Sequence, residues 1–115
     1  MNNFIAEWEI RQEIDITCGN NTVLKELLIC KSVNTISFKL MVIFYEISER
    51  LVNRFPSHKD DLIQSAVTSC CEHCYNFNEN KSHKATEYIM QIILSKMTTE
   101  YYRFKKYDDN KMISL

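Results

Sequence analysis

Glycine and proline are almost missing from this chain, which has one of each in 115 residues, Gly19 and Pro56. Sandwiches and barrels need a turn after every strand, and those turns draw on glycine and proline for their backbone angles. An all-β fold is therefore excluded by supply. Long apolar runs are also missing. Nothing approaches the roughly 20 consecutive apolar residues that cross a bilayer. The start MNNFIAEWE has neither the basic residues nor the apolar stretch of a secretory signal. A soluble, intracellular protein with no membrane partner is the expectation. Catalytic signatures are lacking too. There is no Gly-rich phosphate loop and no G-x-S-x-G turn, and the three histidines have no evident catalytic partner fixed by the sequence. Neither enzymatic activity nor a cofactor is expected.

What is present points to helices. Leu, Ile, Glu, Lys and Met are frequent, and the length suffices for one hydrophobic core but not for two. The expected fold is all-α, a single-domain helical bundle of about five helices over residues 1–107, with 108–115 as a flexible C-terminal tail. The net charge of −1 is uneven. Residues 1–80 carry 7 Lys/Arg against 11 Asp/Glu, and residues 81–115 carry 7 against 4. Such a balance argues against a protein that coats nucleic acid by itself and permits one that shares its grip on DNA with a larger partner.

Five cysteines, at 18, 30, 70, 71 and 74, are an odd number, and a reducing cytosol disfavours a disulfide framework. The cluster Cys70-Cys71-Glu72-His73-Cys74 invites a zinc reading that helical geometry opposes. Cys70 and Cys74 share a face, but Cys71 lies about 100° away and His73 about 60° from Cys70 on the other side. No metal is expected, and Cys70 and Cys74 read as small core hydrophobes.

Helical spacing marks the elements. Phe4, Ile5, Trp8, Ile10, Ile14 and Ile16 suggest a first amphipathic helix. The break around Gly19 follows, with Asn21 or Thr22 placed to cap a short helix from Val23 to Lys31. After Ser32 to Thr35, the residues Ile36, Leu40, Ile43, Phe44, Ile47 and Leu51 define a long central helix that Pro56 ends. Ser57 with Asp60 has the outline of a capping box for the next helix, whose apolar face is Leu62, Ile63, Ala66, Val67, Cys70 and Cys74. Tyr88, Ile89, Ile92, Ile93, Met97 and Tyr101 mark a last helix from about His83 to Lys105.

Several of these residues occur in a telling order. Asp61-Leu62-Ile63-Gln64-Ser65 is followed by Ala66, Cys70 and Cys74, then the corner Phe77-Asn78, Lys81 and Lys84, then Thr86-Glu87-Tyr88. This order resembles the second conserved region of bacterial sigma factors over about Leu40 to Arg103, with Arg54-Phe55 at the family's basic-aromatic pair. NFNENK, Tyr88-Ile89 and Gln91 are most similar to the late-transcription sigma factors of T-even-type bacteriophages, short proteins without the domain that reads the minus-thirty-five element. Gln91-Ile92 stand where housekeeping sigmas carry adjacent tryptophans, Ala85 stands at an aromatic of the corner, and Ser65 replaces an acid of the docking helix.

The resemblance implies a phage-encoded transcription initiation factor acting in the cytoplasm of the infected bacterial host. It would bind RNA polymerase core on the clamp helices of the largest subunit and direct recognition and melting of an AT-rich minus-ten-type late promoter element through the non-template strand. A coactivator or sliding clamp is a further partner that the resemblance suggests. Polymerase contacts then fall to Asp60, Asp61, Leu62, Gln64, Ser65, Thr68 and Cys71. DNA contacts fall to Lys81, Lys84, Thr86, Glu87, Tyr88, Gln91, Lys96, Tyr101, Arg103 and Lys105, and sliding-clamp contacts to Met112, Ile113 and Leu115.

Chemistry alone leaves alternatives open. Asp60, Asp61, Gln64 and Thr68 can share a helix face suited to a basic partner, and equally to water. Tyr88, Tyr101 and Tyr102 among Lys84, Lys96, Arg103, Lys105 and Lys106 suit single-stranded DNA, where rings stack on bases and cations hold phosphates. The same pattern fits a core tyrosine with solvated lysines. Gln91 could read an adenine edge by paired hydrogen bonds. A helical polymerase-binding regulator, an anti-sigma or adaptor that does not read DNA, is the rival reading.

Overall fold

The computed structural model describes residues 19–78, 80 and 84–113. The first expected helix, Phe4 to Ile16, lies outside them, as do Lys81 and Leu115 and the side chains of Met112 and Ile113. Among the described residues the protein is all-helical, with four α-helices, two 3-10 turns and no strand. None of these helices is long and apolar enough to cross a membrane.

Helix α1, Asn20–Val33, begins three residues earlier than the spacing predicts. Gly19 occupies the cap position at φ 71°, a backbone region open to glycine, and its carbonyl accepts Val23 N–H at 3.1 Å. Neither Asn21 nor Thr22 is the cap, because the glycine turn already delivers the chain into the helix. Asn34 ends α1 in the left-handed region at φ 55°, a conformation that asparagine tolerates at a helix end. Helix α2, Phe38–Leu51, is capped by Ser37, whose Oγ accepts Leu40 N–H at 3.0 Å and donates to Glu26 Oε1 at 2.9 Å. One serine thus starts α2 and fastens it to α1. A 3-10 turn, Val52–Arg54, finishes this helix, and Phe55 before the proline is extended.

Helix α3, Lys59–His73, does not use the capping box expected of Ser57 and Asp60. His58 holds the cap position in the left-handed region at φ 61°, with no side-chain cap bond. That conformation costs a non-glycine residue about 1 kcal/mol, and contacts from far along the chain hold it. The His58 ring lies 2.9 Å from Asp108 Oδ2 and stacks on Phe104 at 4.9 Å. A second 3-10 turn, Cys74–Asn76, leads to the buried Phe77.

Helix α4, Ala85–Ile113, is 29 residues long and extends eight residues past the expected end at Lys105. No glycine or proline stops it, and the His58–Asp108 pair ties its distal turns to the start of α3. It lies along α3 and also packs on α1 and α2. The core is drawn from all four helices: Val23, Leu27 and Cys30; Leu40, Phe44, Ile47 and Leu51; Leu62, Ala66 and Cys70; Ile89, Ile93 and Met97. Cys74 and Phe77 close it at the end of α3. On α4 the buried face is rotated from the expected one. Ala85, Thr86 and Met90 are inside, whereas Tyr88, Ile92 and Tyr101 are half-buried at its margin.

Candidate functional site

The outer side of α3 carries most of the residues that the sigma resemblance assigns to polymerase. Asp60, Asp61, Gln64 and Thr68 are exposed, and Ser65 and Cys71 are half-buried. With about 100° per residue, these six spread over roughly 140° of the helix, opposite the Leu62, Ala66 and Cys70 stripe. Asp60 and Asp61 occupy the first turn, where a carboxylate is favoured by the positive end of the helix dipole. Leu62 does not belong to this surface. It is 0% exposed and packs in the core, so it supports the face from beneath.

The residues assigned to DNA are more scattered. Lys84, Gln91 and Lys105 are exposed. Thr86 is 0% exposed and cannot reach a nucleic acid while α4 is folded, because its position points into the bundle next to Ala85. Glu87 is half-buried and engaged with the protein. Tyr88 is half-buried as well. Its hydroxyl donates to the His73 carbonyl at 2.8 Å, and its ring tilts against Phe77 at 5.2 Å. Burial, followed by the neighbouring Cys74 and Cys70 thiols, raises the Tyr88 phenol above its ordinary pKa and keeps it a donor.

Further along α4, two of the expected phosphate-binding cations converge on one carboxylate. Lys96 Nζ is 3.2 Å from Glu100 Oε1, and Arg103 Nε donates to Glu100 Oε2 at 2.6 Å. The Arg103 hydrogen bond, with help from Lys96, holds the Glu100 carboxyl below its ordinary pKa. The Arg103 guanidinium also lies over the Phe104 ring at 4.9 Å. Tyr101 tilts against Phe55 at 5.3 Å and meets the edge of Tyr102 at 5.7 Å.

The two sets meet along a groove between α3 and α4. One hollow of about 290 Å³ is lined by Gln64, Ser65, Thr68, Ser69, Glu72, Lys96 and Glu100. A larger open one, about 720 Å³, is lined by Ser69, Glu72, His73, Tyr88, Gln91, Ile92, Ser95, Lys96 and Thr99. They share Ser69, Glu72 and Lys96, so residues assigned to polymerase and residues assigned to DNA border one continuous groove.

Ser69, Glu72 and His73 also line this groove, and the sequence reading assigned none of them to a partner. It also missed Glu100, although Lys96 four residues before it and Arg103 three residues after it are a legible helical charge pattern. Nothing in the sequence signals the approach of Cys30 to Cys74, whose sulfurs are 3.9 Å apart. Among the described residues no three His, Cys, Asp or Glu side chains are grouped so as to hold a metal ion.

No protein-family model matches the chain, and neither a curated protein nor a solved structure matches it.

Proposed function

We propose that this protein is a phage-encoded sigma-like initiation factor that binds RNA polymerase core and directs it to an AT-rich minus-ten-type late promoter element. Its docking surface is the outer face of α3. The reading rests on the order of residues from Asp61 to Tyr88, and one structural observation carries it. Asp60, Asp61, Gln64 and Thr68 form an exposed acidic and hydrogen-bonding band on a helix whose other side is firmly packed. Such a rigid band suits a basic coiled coil such as the clamp helices of the polymerase largest subunit. Lys84, just before α4, and Gln91 and Lys105 on it then supply the approach to the non-template strand, with the groove between α3 and α4 separating the two partners.

Purified protein added to core polymerase should support initiation on a promoter carrying only a minus-ten-type element, with a melted bubble reactive to permanganate. Absence of core binding at micromolar concentration would sink the reading.

A second reading, a polymerase-binding regulator that leaves DNA alone, is favoured by a specific observation. Lys96 and Arg103 are committed to Glu100, and the Tyr88 hydroxyl is committed to His73. On that reading core binding is retained and no permanganate-reactive bubble forms.

A further inference from the structure

Three sulfurs line a route from the surface of the protein into its core. Cys30 of α1 and Cys74 in the turn after α3 are 1% and 0% exposed, and their Sγ atoms stand 3.9 Å apart across a sequence separation of 44. That is van der Waals contact without a bond, so a modest side-chain rotation brings them to the roughly 2.05 Å of a disulfide. One turn earlier, Cys71 is half-buried, with its Sγ 3.6 Å from Met41 Sδ on α2. Cys71-Glu72-His73-Cys74 has C-x-x-C spacing. On helical backbone this places the two Cα atoms about 5 Å apart, within the span a disulfide bridges. Cys70 is also buried and lies on the same helix.

We propose that Cys71, Cys74 and Cys30 form a thiol relay in which Cys71 takes up oxidation from a small soluble disulfide and passes it inward, closing a Cys30–Cys74 disulfide. Each step is a thiol–disulfide exchange. The Cys71 thiolate attacks the small disulfide R–S–S–R, forming a Cys71 mixed disulfide and releasing one RS⁻. The Cys74 thiolate attacks the Cys71 sulfur, forming the Cys71–Cys74 bond and releasing the second RS⁻. The Cys30 thiolate then attacks the Cys74 sulfur and returns Cys71 as thiolate. In sum, two buried thiols lose two protons and two electrons, and one small disulfide is reduced to two thiols.

The route through Cys71 is needed because burial keeps the inner sulfurs from reacting with solutes directly. Burial, and next the proximity of Cys30, push the Cys74 thiol up to about 12. Cys71 is raised by burial as well, but it alone of the three is open to solvent. The product would fasten α1 to the end of α3. A loop of this length closed by a disulfide removes enough unfolded-state freedom to raise the melting temperature by on the order of 10 °C. The relay does not rest on the transcriptional reading.

The reduced full-length protein is incubated with oxidised glutathione, remaining thiols are alkylated, and the product is mapped by intact mass and tandem mass spectrometry. The expected product has lost the mass of two hydrogens, carries a Cys30–Cys74 link with Cys71 alkylated, and reverts with dithiothreitol. Cys71→Ser, at a half-buried position, should keep the circular dichroism of the parent and slow closure by about tenfold or more. Cys30→Ser should halt at the Cys71–Cys74 bond or at a glutathione adduct on Cys71. Failure to form an internal disulfide, a final link between any other pair, a link between chains, or equally fast closure in Cys71→Ser would each overturn the relay.

Discussion

Two neighbouring helices of this protein show polar outer faces that resemble each other in sequence and differ in structure. On α3 the acids Asp60 and Asp61 are exposed, no lysine or arginine lies three or four positions from either, and His58, three before Asp61, is paired with Asp108 instead. On α4 the bases Lys96 and Arg103 have Glu100 at the spacing where helical side chains meet, and both take it. Two tyrosines of α4 are similarly occupied, Tyr88 with the end of α3 and Tyr101 with Phe55, while Tyr102 and Tyr107 stay exposed. A run of charged and aromatic residues is therefore free for a partner only where its own helix offers no counter-charge and its own bundle offers no seat for the ring. By that criterion the acidic band of α3 is free for a partner, whereas Lys96, Arg103, Tyr88 and Tyr101 of α4 are first engaged within the bundle.

The sharpest way to break this contrast is to reverse the free charges. Asp60→Lys with Asp61→Lys should weaken binding to core polymerase on the order of 100-fold, as mispaired charges at an interface do. The same change should lower folding stability by only about 1–2 kcal/mol, through the helix dipole. Unchanged affinity in a titration against core would show that the α3 band is merely solvated. Gln64→Ala removes one hydrogen-bonding side chain from the same band and should weaken binding by about tenfold, the worth of a single interfacial hydrogen bond. The measurement is the same titration, and a loss confined to promoter opening would place Gln64 on DNA instead.

The helices themselves were legible because three- and four-residue apolar spacing is a local signal. That holds for the central stripe of α2, and for Leu62, Ala66 and Cys70 on α3. The start of α3 was not legible. Ser57 and Asp60 have the letters of a capping box, but His58 takes a left-handed conformation held by Phe104 and Asp108, some fifty residues away. The end of α4 was misjudged for the same reason, since Asp108 looks like the start of a polar tail until its partner is known. Leu62 and Thr86 entered the candidate contacts because a family resemblance transfers order along the chain without the rotation of each helix about its axis. For Leu62 the apolar spacing already points inward, and for Thr86 only packing reveals the rotation.

A smaller test bears on Tyr88. Tyr88→Phe keeps the ring against Phe77 and deletes the bond to the His73 carbonyl, which should lower stability by about 1 kcal/mol in denaturant unfolding. If Tyr88 serves the bundle and not the DNA, promoter opening should fall no further than this loss of stability explains. An unaltered stability with abolished permanganate reactivity would mean that the hydroxyl works on DNA.

The least effect is expected of Glu100→Gln, and it is the change that separates the two helices most cleanly. The pairs it breaks are near the surface, so stability at neutral pH should drop by no more than about 1 kcal/mol. The pH dependence has a definite sign. The folded protein holds the Glu100 carboxyl below its ordinary value of 4.5, so its contribution is fully present above that value and fades as the pH falls through the lowered one. Parent and Gln variant should therefore differ in stability at neutral pH and converge in acid. Meanwhile Lys96 and Arg103 are released to solvent on the outer face of α4. If their attachment to Glu100 is what keeps this face from nucleic acid, the variant should bind single-stranded DNA more tightly than the parent. Its logarithm of affinity should also fall more steeply with salt, because more phosphate counterions are displaced. Identical salt slopes for the two proteins would show that α4 does not bind DNA through these cations even when they are freed, leaving α3 as the helix on which partner binding depends.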